Sequence, residues 1–297
     1  MERGGFMTFP PAISRSFWGR SFSSPLMLAS GTAGFGEELL DLQCLSGVGA
    51  VVSKAITFEP RAGNPPPRLH ETPYGLLNSI GLANPGVYHV LNSILPAVAE
   101  LPCPLILNVA GESVSEFARV VCILEKSGVH IGYEINVSCP NVARGGAAFG
   151  IDPDVVLKVA EGVSRETDRP FSVKLTPNGG DIVQSARAAV EGGASAVTVC
   201  NTFLGMHMNW RTGETVIKRK IAGYTSPALL PLVVAKVWQV SNSISVPVIS
   251  SGGVSSGEDV LELLAAGAQM VQVGTRLMRR PFAGSELMDE MKKLTGE

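Results

Sequence analysis

The chain alternates short, nearly uninterrupted apolar runs with longer stretches in which apolar residues recur every third or fourth position. The runs are PLMLAS (25–30), AVVSKAI (50–56), PLILNVA (104–110), GYEINVS (132–138), FSVKLTP (171–177), AVTVCNT (196–202), VPVISSGG (246–253) and MVQVGTRL (270–277). Strands apolar on both faces belong to a parallel sheet covered by helices. Eight of them in 297 residues predict one α/β domain over 1–297, a (β/α)8 TIM barrel with long loops over its C-terminal face. The helices carry end signals of their own. In DPDVVLKVAEGVSRET, Asp152 suits the N-cap and Pro153 the first helical position. SSGEDVLELLAAGA closes on Gly267, a C-cap glycine. The connections 57–103 and 203–245 are long enough to be lids or binding loops.

Composition narrows the function. A 45% hydrophobic chain of this length fills a large core. A net charge of −2 argues against a dedicated nucleic-acid or anionic-membrane binder. No apolar run approaches the roughly 18 residues of a membrane helix. Residues 1–24 are rich in Ser and Arg but lack an apolar signal region, and Pro10 and Pro11 interrupt them. They read as a hairpin leading into the first core strand rather than a transit peptide. Five scattered cysteines (44, 103, 122, 139 and 200) without a Cys-x-x-Cys pair fit a reducing cytoplasm. They leave no zinc ribbon or clustered iron–sulfur site, and no metal is expected in this chain.

Barrel chemistry lies at the C-terminal strand ends. Those ends read Ser30-Gly31, Lys54, Asn108, Asn136 with Cys139, Lys174, Asn201-Thr202, Gly252-Gly253 and Gly274-Thr275. Each buried polar atom without a partner costs about 1–3 kcal/mol, so such a ring implies a polar ligand at the mouth. The glycines after strands 7 and 8 stand where backbone N–H groups cradle a phosphate. Lys54 and Lys174 are Schiff-base nucleophiles or fixed cations facing an anion; their convergence on one mouth disfavours snorkelling to solvent. Cys44, Cys103 and Cys122 read as buried and inert. Cys200 lies late in strand 6, its side chain or only its backbone toward a ligand. Cys139 differs, because it follows its strand and precedes Pro140 and the flexible Gly145-Gly146. His70, His89, His130 and His207 read singly as surface or loop residues. A cysteine without a histidine partner suggests proton transfer rather than acyl transfer.

The segments SKAIT, NPPPRLHETPYGLLNSIGLANPG, NVAG, EINVSCPNVARGGAAFG, VKLTPN, CNTFLG, SGGV and VGT occur in order from about residue 20 to 280. They resemble the dihydroorotate dehydrogenases, most of all the class 1, NAD-linked (B-type) branch. The resemblance implies an FMN-containing barrel that oxidises (S)-dihydroorotate to orotate in pyrimidine (UMP) biosynthesis. Cys139 would take the C5 proton while the C6 hydride passes to N5 of FMN. Lys54 would touch both FMN and substrate, and Lys174 the flavin ring. Asn78, Ser79, Ile80, Gly81 and Leu82 match the substrate loop, with Asn136, Asn201 and Thr202 holding the pyrimidine. Asn136 would also border the flavin. Ser30, Ala55, Asn108, Cys200, Gly223, Gly252, Gly253, Gly274 and Thr275 would bind FMN. The same branch implies a homodimer core and a partner subunit, carrying FAD and a [2Fe-2S] cluster, that passes electrons to NAD.

Other readings remain open at this stage. They are a fumarate-linked (A-type) relative, a flavin enzyme for another dihydropyrimidine, and a non-redox phosphate-binding aldolase or isomerase with a Schiff-base lysine. The chain also departs from the family pattern. AGYTSPA (222–228) replaces a GGLSGPA-like loop, which puts the FMN contact of Gly223 in doubt. MHMNWRTG (206–213) replaces a more acidic segment, with Asn209 where an aspartate is common.

Overall fold

The computed structural model describes residues 11–138 and 149–297. Each apolar run contributes one strand: β1 Leu26–Leu28, β2 Ala50–Val52, β3 Leu105–Val109, β4 Gly132–Asn136, β5 Phe171–Lys174, β6 Ala196–Val199, β7 Val248–Ser251 and β8 Ala268–Val273. Neighbours pair in parallel in chain order, and β8 pairs with β1, so the sheet closes into a barrel. In β1 to β7 every residue is buried, which explains runs with no polar alternation.

Helices form the outer layer and end where the sequence places caps. The helix Pro153–Ser164 starts at Asp152, whose Oδ1 accepts from the Asp154 N–H at 3.0 Å. It buries Val155, Val156, Val159, Ala160 and Val163, one stripe at helical spacing. The helix Gly257–Ala265 opens with a reciprocal Ser256–Asp259 capping box, and Gly267 follows it at φ +108°. Among the described residues, no helix is long and apolar enough to cross a membrane.

The N-terminal hairpin pairs Arg15–Phe17 with Arg20–Phe22 through a Trp18-Gly19 turn, both residues at positive φ. Its Phe17 and Phe22 pack against Met27, Ile106, Ile249 and Met270 inside the barrel, closing the end opposite the strand C-termini. The two long connections meet at the other end. Leu69–Thr72 and Gly75–Asn78 from the first join Phe203–Gly205 and Ala222–Thr225 from the second in a four-stranded antiparallel sheet. The loops expected as lids are therefore one paired layer.

One histidine assignment needs correction, and two other histidines stand together rather than singly. His130 is 2% exposed, not a surface residue, and its ring meets Tyr133 edge-on at 4.7 Å. Neither ring nitrogen has a hydrogen-bond partner. Glu125, itself bonded by Tyr133 and Thr167 hydroxyls at 2.5 and 2.8 Å, lies 3.9 Å away, and the Arg169 guanidinium flanks the site. His70 and His207 are paired with each other at 3.1 Å across the mouth sheet.

Burial, reinforced by Arg169, pushes the His130 imidazole down to about 4. An unfolded histidine titrates near 6.5. Between these values the unfolded chain binds the extra proton, so stability falls as pH drops from about 6.5 to about 4, by roughly 3 kcal/mol in all. Urea titrations across that interval should show this loss, and His130→Leu, which cannot titrate, should flatten it.

Candidate active site

A cavity of about 390 Å³ lies between the C-terminal strand ends and the mouth sheet. That is within the usual range of small-molecule sites. Ser30, Lys174, Cys200, Gly252, Gly253, Gly274 and Thr275 wall it from the barrel side. Asn78, Ile80, Phe203 and Tyr224 wall it from the mouth-sheet side, with Asn201 and Thr202 between.

The glycine pair after β7 is required by geometry. Gly252 and Gly253 sit at φ +121° and +84°, and a Cβ on Gly253 would stand 2.7 Å from the Leu230 Cα. Among the described residues, the N–H groups of Gly252, Gly253 and Gly274 have no acceptor. They form a cluster of donors at one end of the cavity, the arrangement that binds an anion. Arg276 braces this end. Its guanidinium donates to the Ser255 carbonyl, and to Glu286 and Glu290 at 3.1 and 2.8 Å, tying the loop after β7 to the segment after β8.

At the other end, Lys174 is 5% exposed and points its ammonium into a polar layer inside the barrel. Its Nζ donates to Gln272 Oε1 at 2.9 Å and to Glu134 Oε1 at 3.4 Å. Glu134, 1% exposed, also accepts from Asn108 Nδ2 at 2.8 Å, Thr198 Oγ1 at 3.0 Å and Gln272 Nε2. The Asn108 Oδ1 is buried without a partner, as is the Ser250 hydroxyl. Sequence reasoning missed Glu134, Gln272, Thr198 and Arg276. The available signals were a carboxylate and an amide inside otherwise apolar strands, and the arginine directly after Gly274-Thr275.

Several expected residues stand behind the cavity wall. Asn136 is joined to the site through Asn201, whose Nδ2 donates to its Oδ1 at 3.2 Å. Asn108 lies in the layer below, as just described. Ser79 is held by Asn64 Nδ2 at 2.7 Å, Gly81 turns tightly against Asn64 at φ +70°, and Leu82 packs with Ala55 and Ala110. Gly223 pairs with Asn78 in the mouth sheet, and a Cβ there would meet Thr202 Oγ1 at 2.4 Å. The glycine kept in the altered AGYTSPA loop thus serves close packing, while Tyr224, Thr225 and Ser226 face the cavity. Lys54 lies half-buried beyond β2, is not part of the cavity wall, and has no side-chain hydrogen bond among the described residues. Cys139 lies outside the described residues. Burial pushes the Cys200 thiol up to about 12, leaving it neutral and unreactive. Cys122, expected to be buried, is exposed on its helix.

A family model described as dihydroorotate dehydrogenase matches residues 12–295. The chain belongs to the dihydroorotate dehydrogenase family. It is 43% identical over 275 residues to the catalytic subunit of dihydroorotate dehydrogenase B (NAD(+)) from Thermoanaerobacter pseudethanolicus, covering 93% of this chain and 91% of that one. The subunit of the same name from Bacillus pumilus is 43% identical over 274 residues, with 92% and 88% covered. That from Listeria monocytogenes serotype 4b is 42% identical over 279 residues, with 94% and 92% covered. A crystal structure of DHODH from Eimeria tenella in complex with ferulenol superposes with a TM-score of 0.79 at 22% identity, covering 96% of this chain and 84% of that one. At that identity the likeness establishes the barrel fold. Family membership makes the chain an oxidoreductase and removes the aldolase or isomerase reading, in keeping with a Lys174 ammonium already paired to Glu134.

Gly253→Ala should destabilise the chain by about 1–3 kcal/mol from the left-handed backbone alone, with the contact at Leu230 added. Gly31, at φ +85° but facing open space, isolates the backbone contribution. Urea midpoints should fall further for Gly253→Ala than for Gly31→Ala.

Proposed function

We propose that the chain is the catalytic subunit of an NAD-linked dihydroorotate dehydrogenase that uses FMN to oxidise (S)-dihydroorotate to orotate. The observation that carries this reading is about 43% identity, over more than nine-tenths of the chain, to subunits of that name. Those names also favour the NAD-linked over the fumarate-linked reading.

The residues present fit FMN. Its phosphate needs several convergent donors, and the unclaimed N–H groups of Gly252, Gly253 and Gly274 supply them. Its ring edge needs donors and acceptors in a largely apolar wall. Lys174 offers an N–H, and the buried Asn108 Oδ1 below it is an unpartnered acceptor. Ser30, Cys200 and Thr275 would complete the holding set. When bound, FMN supplies the hydride acceptor, with negative charge gathering near N1 on reduction.

The chain's own residues then bind, orient and deprotonate. Asn78, Asn201 and, through Asn201, Asn136 present amides that both donate and accept, which suits a substrate with a carboxylate and imide groups. Lys54 adds a cation for that carboxylate. Cys139 is the base for the C5 proton. A free thiol has a pKa near 8.5, so the oxidation rises with pH as its thiolate fraction grows. Electrons leave to NAD through a partner subunit carrying FAD and a [2Fe-2S] cluster, around a homodimer of this chain.

The purified chain, loaded with FMN, should show flavin absorption that bleaches on anaerobic addition of dihydroorotate. Persistent bands would redirect the reading to another dihydropyrimidine. Cys139→Ala should keep the flavin spectrum and lose about 10²- to 10⁴-fold in dihydroorotate oxidation, the usual contribution of a positioned base. Near-normal turnover would remove Cys139 from that role.

A further inference from the structure

The polar layer beneath the cavity holds a charge that the reaction described above does not use. Glu134 is buried in mid-barrel, and three of its four contacts are with atoms that only donate, Asn108 Nδ2, Lys174 Nζ and Gln272 Nε2, the fourth being the Thr198 hydroxyl. A protonated carboxyl could pass its hydrogen only to the Thr198 hydroxyl, which lies 3.3 Å from Ser172 Oγ, whereas the Lys174 ammonium and the two amide donors are the complement of a carboxylate. Gln272 is fixed by the same logic. Only one orientation of its amide lets Oε1 accept from Lys174 and Nε2 donate to Glu134. Two of the three ammonium hydrogens of Lys174 are thereby assigned, to Glu134 and Gln272, and the third is left for the cavity that Lys174 and Gln272 line.

We infer that Glu134 is a positioning residue that sets the redox potential of the flavin in this cavity. The inference rests on the FMN reading above. Glu134 acts in two ways. It clamps the Lys174 ammonium in one pose through the shared Gln272 amide. Its own negative charge, in a region screened from water, also offsets part of the stabilisation that Lys174 gives to charge arriving on a reduced flavin. Lys174 alone would make the cofactor a stronger oxidant and a poorer donor to the next carrier. The Glu134–Lys174 pair holds it between the two, as required of a cofactor that must accept a hydride and then pass its electrons on.

The test is the flavin midpoint potential, measured by spectroelectrochemistry on the FMN-loaded chain and its variants. Glu134→Gln keeps the shape and removes the charge, and the potential should move positive. Lys174→Met should move it negative, and the double variant should fall between the two. Where Glu134→Gln alone does not fold, the Lys174→Met background serves instead, since adding Glu134→Gln there must again shift the potential positive. A folded, flavin-loaded Glu134→Gln chain at the wild-type potential would reduce Glu134 to a structural residue and overturn the inference. A wild-type chain that takes up no FMN would overturn the flavin reading and this inference together, so the two failures are told apart by the first spectrum.

Discussion

One buried carboxylate organises the interior of this barrel. Glu134 on β4 takes donors from β3, β5, β6 and β8, so five of the eight strands meet at its two oxygens. A charge taken out of water costs several kcal/mol unless it is paired and fully hydrogen-bonded. That cost makes the arrangement all-or-none. Asn108, Lys174, Thr198 and Gln272 must all face inward at one level, which locks the register of the strands that carry them. Losing one member of such a pair typically costs about 3–5 kcal/mol, far more than a surface ion pair contributes. The price of specificity is thus concentrated in one layer, directly beneath the cavity.

Around that layer the barrel is finished differently at its two ends. At one end, Phe17 and Phe22 of a short hairpin fill the interior with apolar mass, and nothing polar is needed. At the other, the apolar packing stops at the level of Lys174, and the space above is walled by glycines, amides and hydroxyls. The asymmetry follows from the strands themselves, whose polar residues gather toward their C-terminal ends, with Glu134 and Gln272 in the layer just beneath. Stability and chemistry are separated along the barrel axis.

Much of this was legible in the chain before any coordinates. The eight runs identify the strands because both-face burial leaves an unbroken apolar signature. Gly252, Gly253 and Gly274 could be read as mouth positions because they directly follow the last two apolar runs, and they do line the cavity. The misses share a physical cause. Position along a strand says where a residue is, not which way it points, so Glu134 and Gln272 inside β4 and β8 were passed over. The partners of Glu134 lie 26, 40, 64 and 138 residues away, separations at which no local pattern shows who meets whom. His130 sits in a polar-looking KSGVHIG context and is buried by packing against Tyr133, with Glu125 and Arg169 beside it. The pairing of His70 with His207 likewise depends on two distant segments meeting in one sheet.

That sheet also joins segments that lie far apart in the chain. Asn78 bonds Gly223 across 145 residues and Ser226 bonds Tyr74 across 152, so the mouth sheet, like the closure of β8 onto β1, is held by contacts that must offset the entropy of closing long loops. The cavity is therefore complete only when both long connections are in place. Whatever binds there stabilises the finished state alone, by an amount that grows with the logarithm of its concentration over its dissociation constant. A cofactor in such a place acts as the keystone of folding as well as an agent of chemistry.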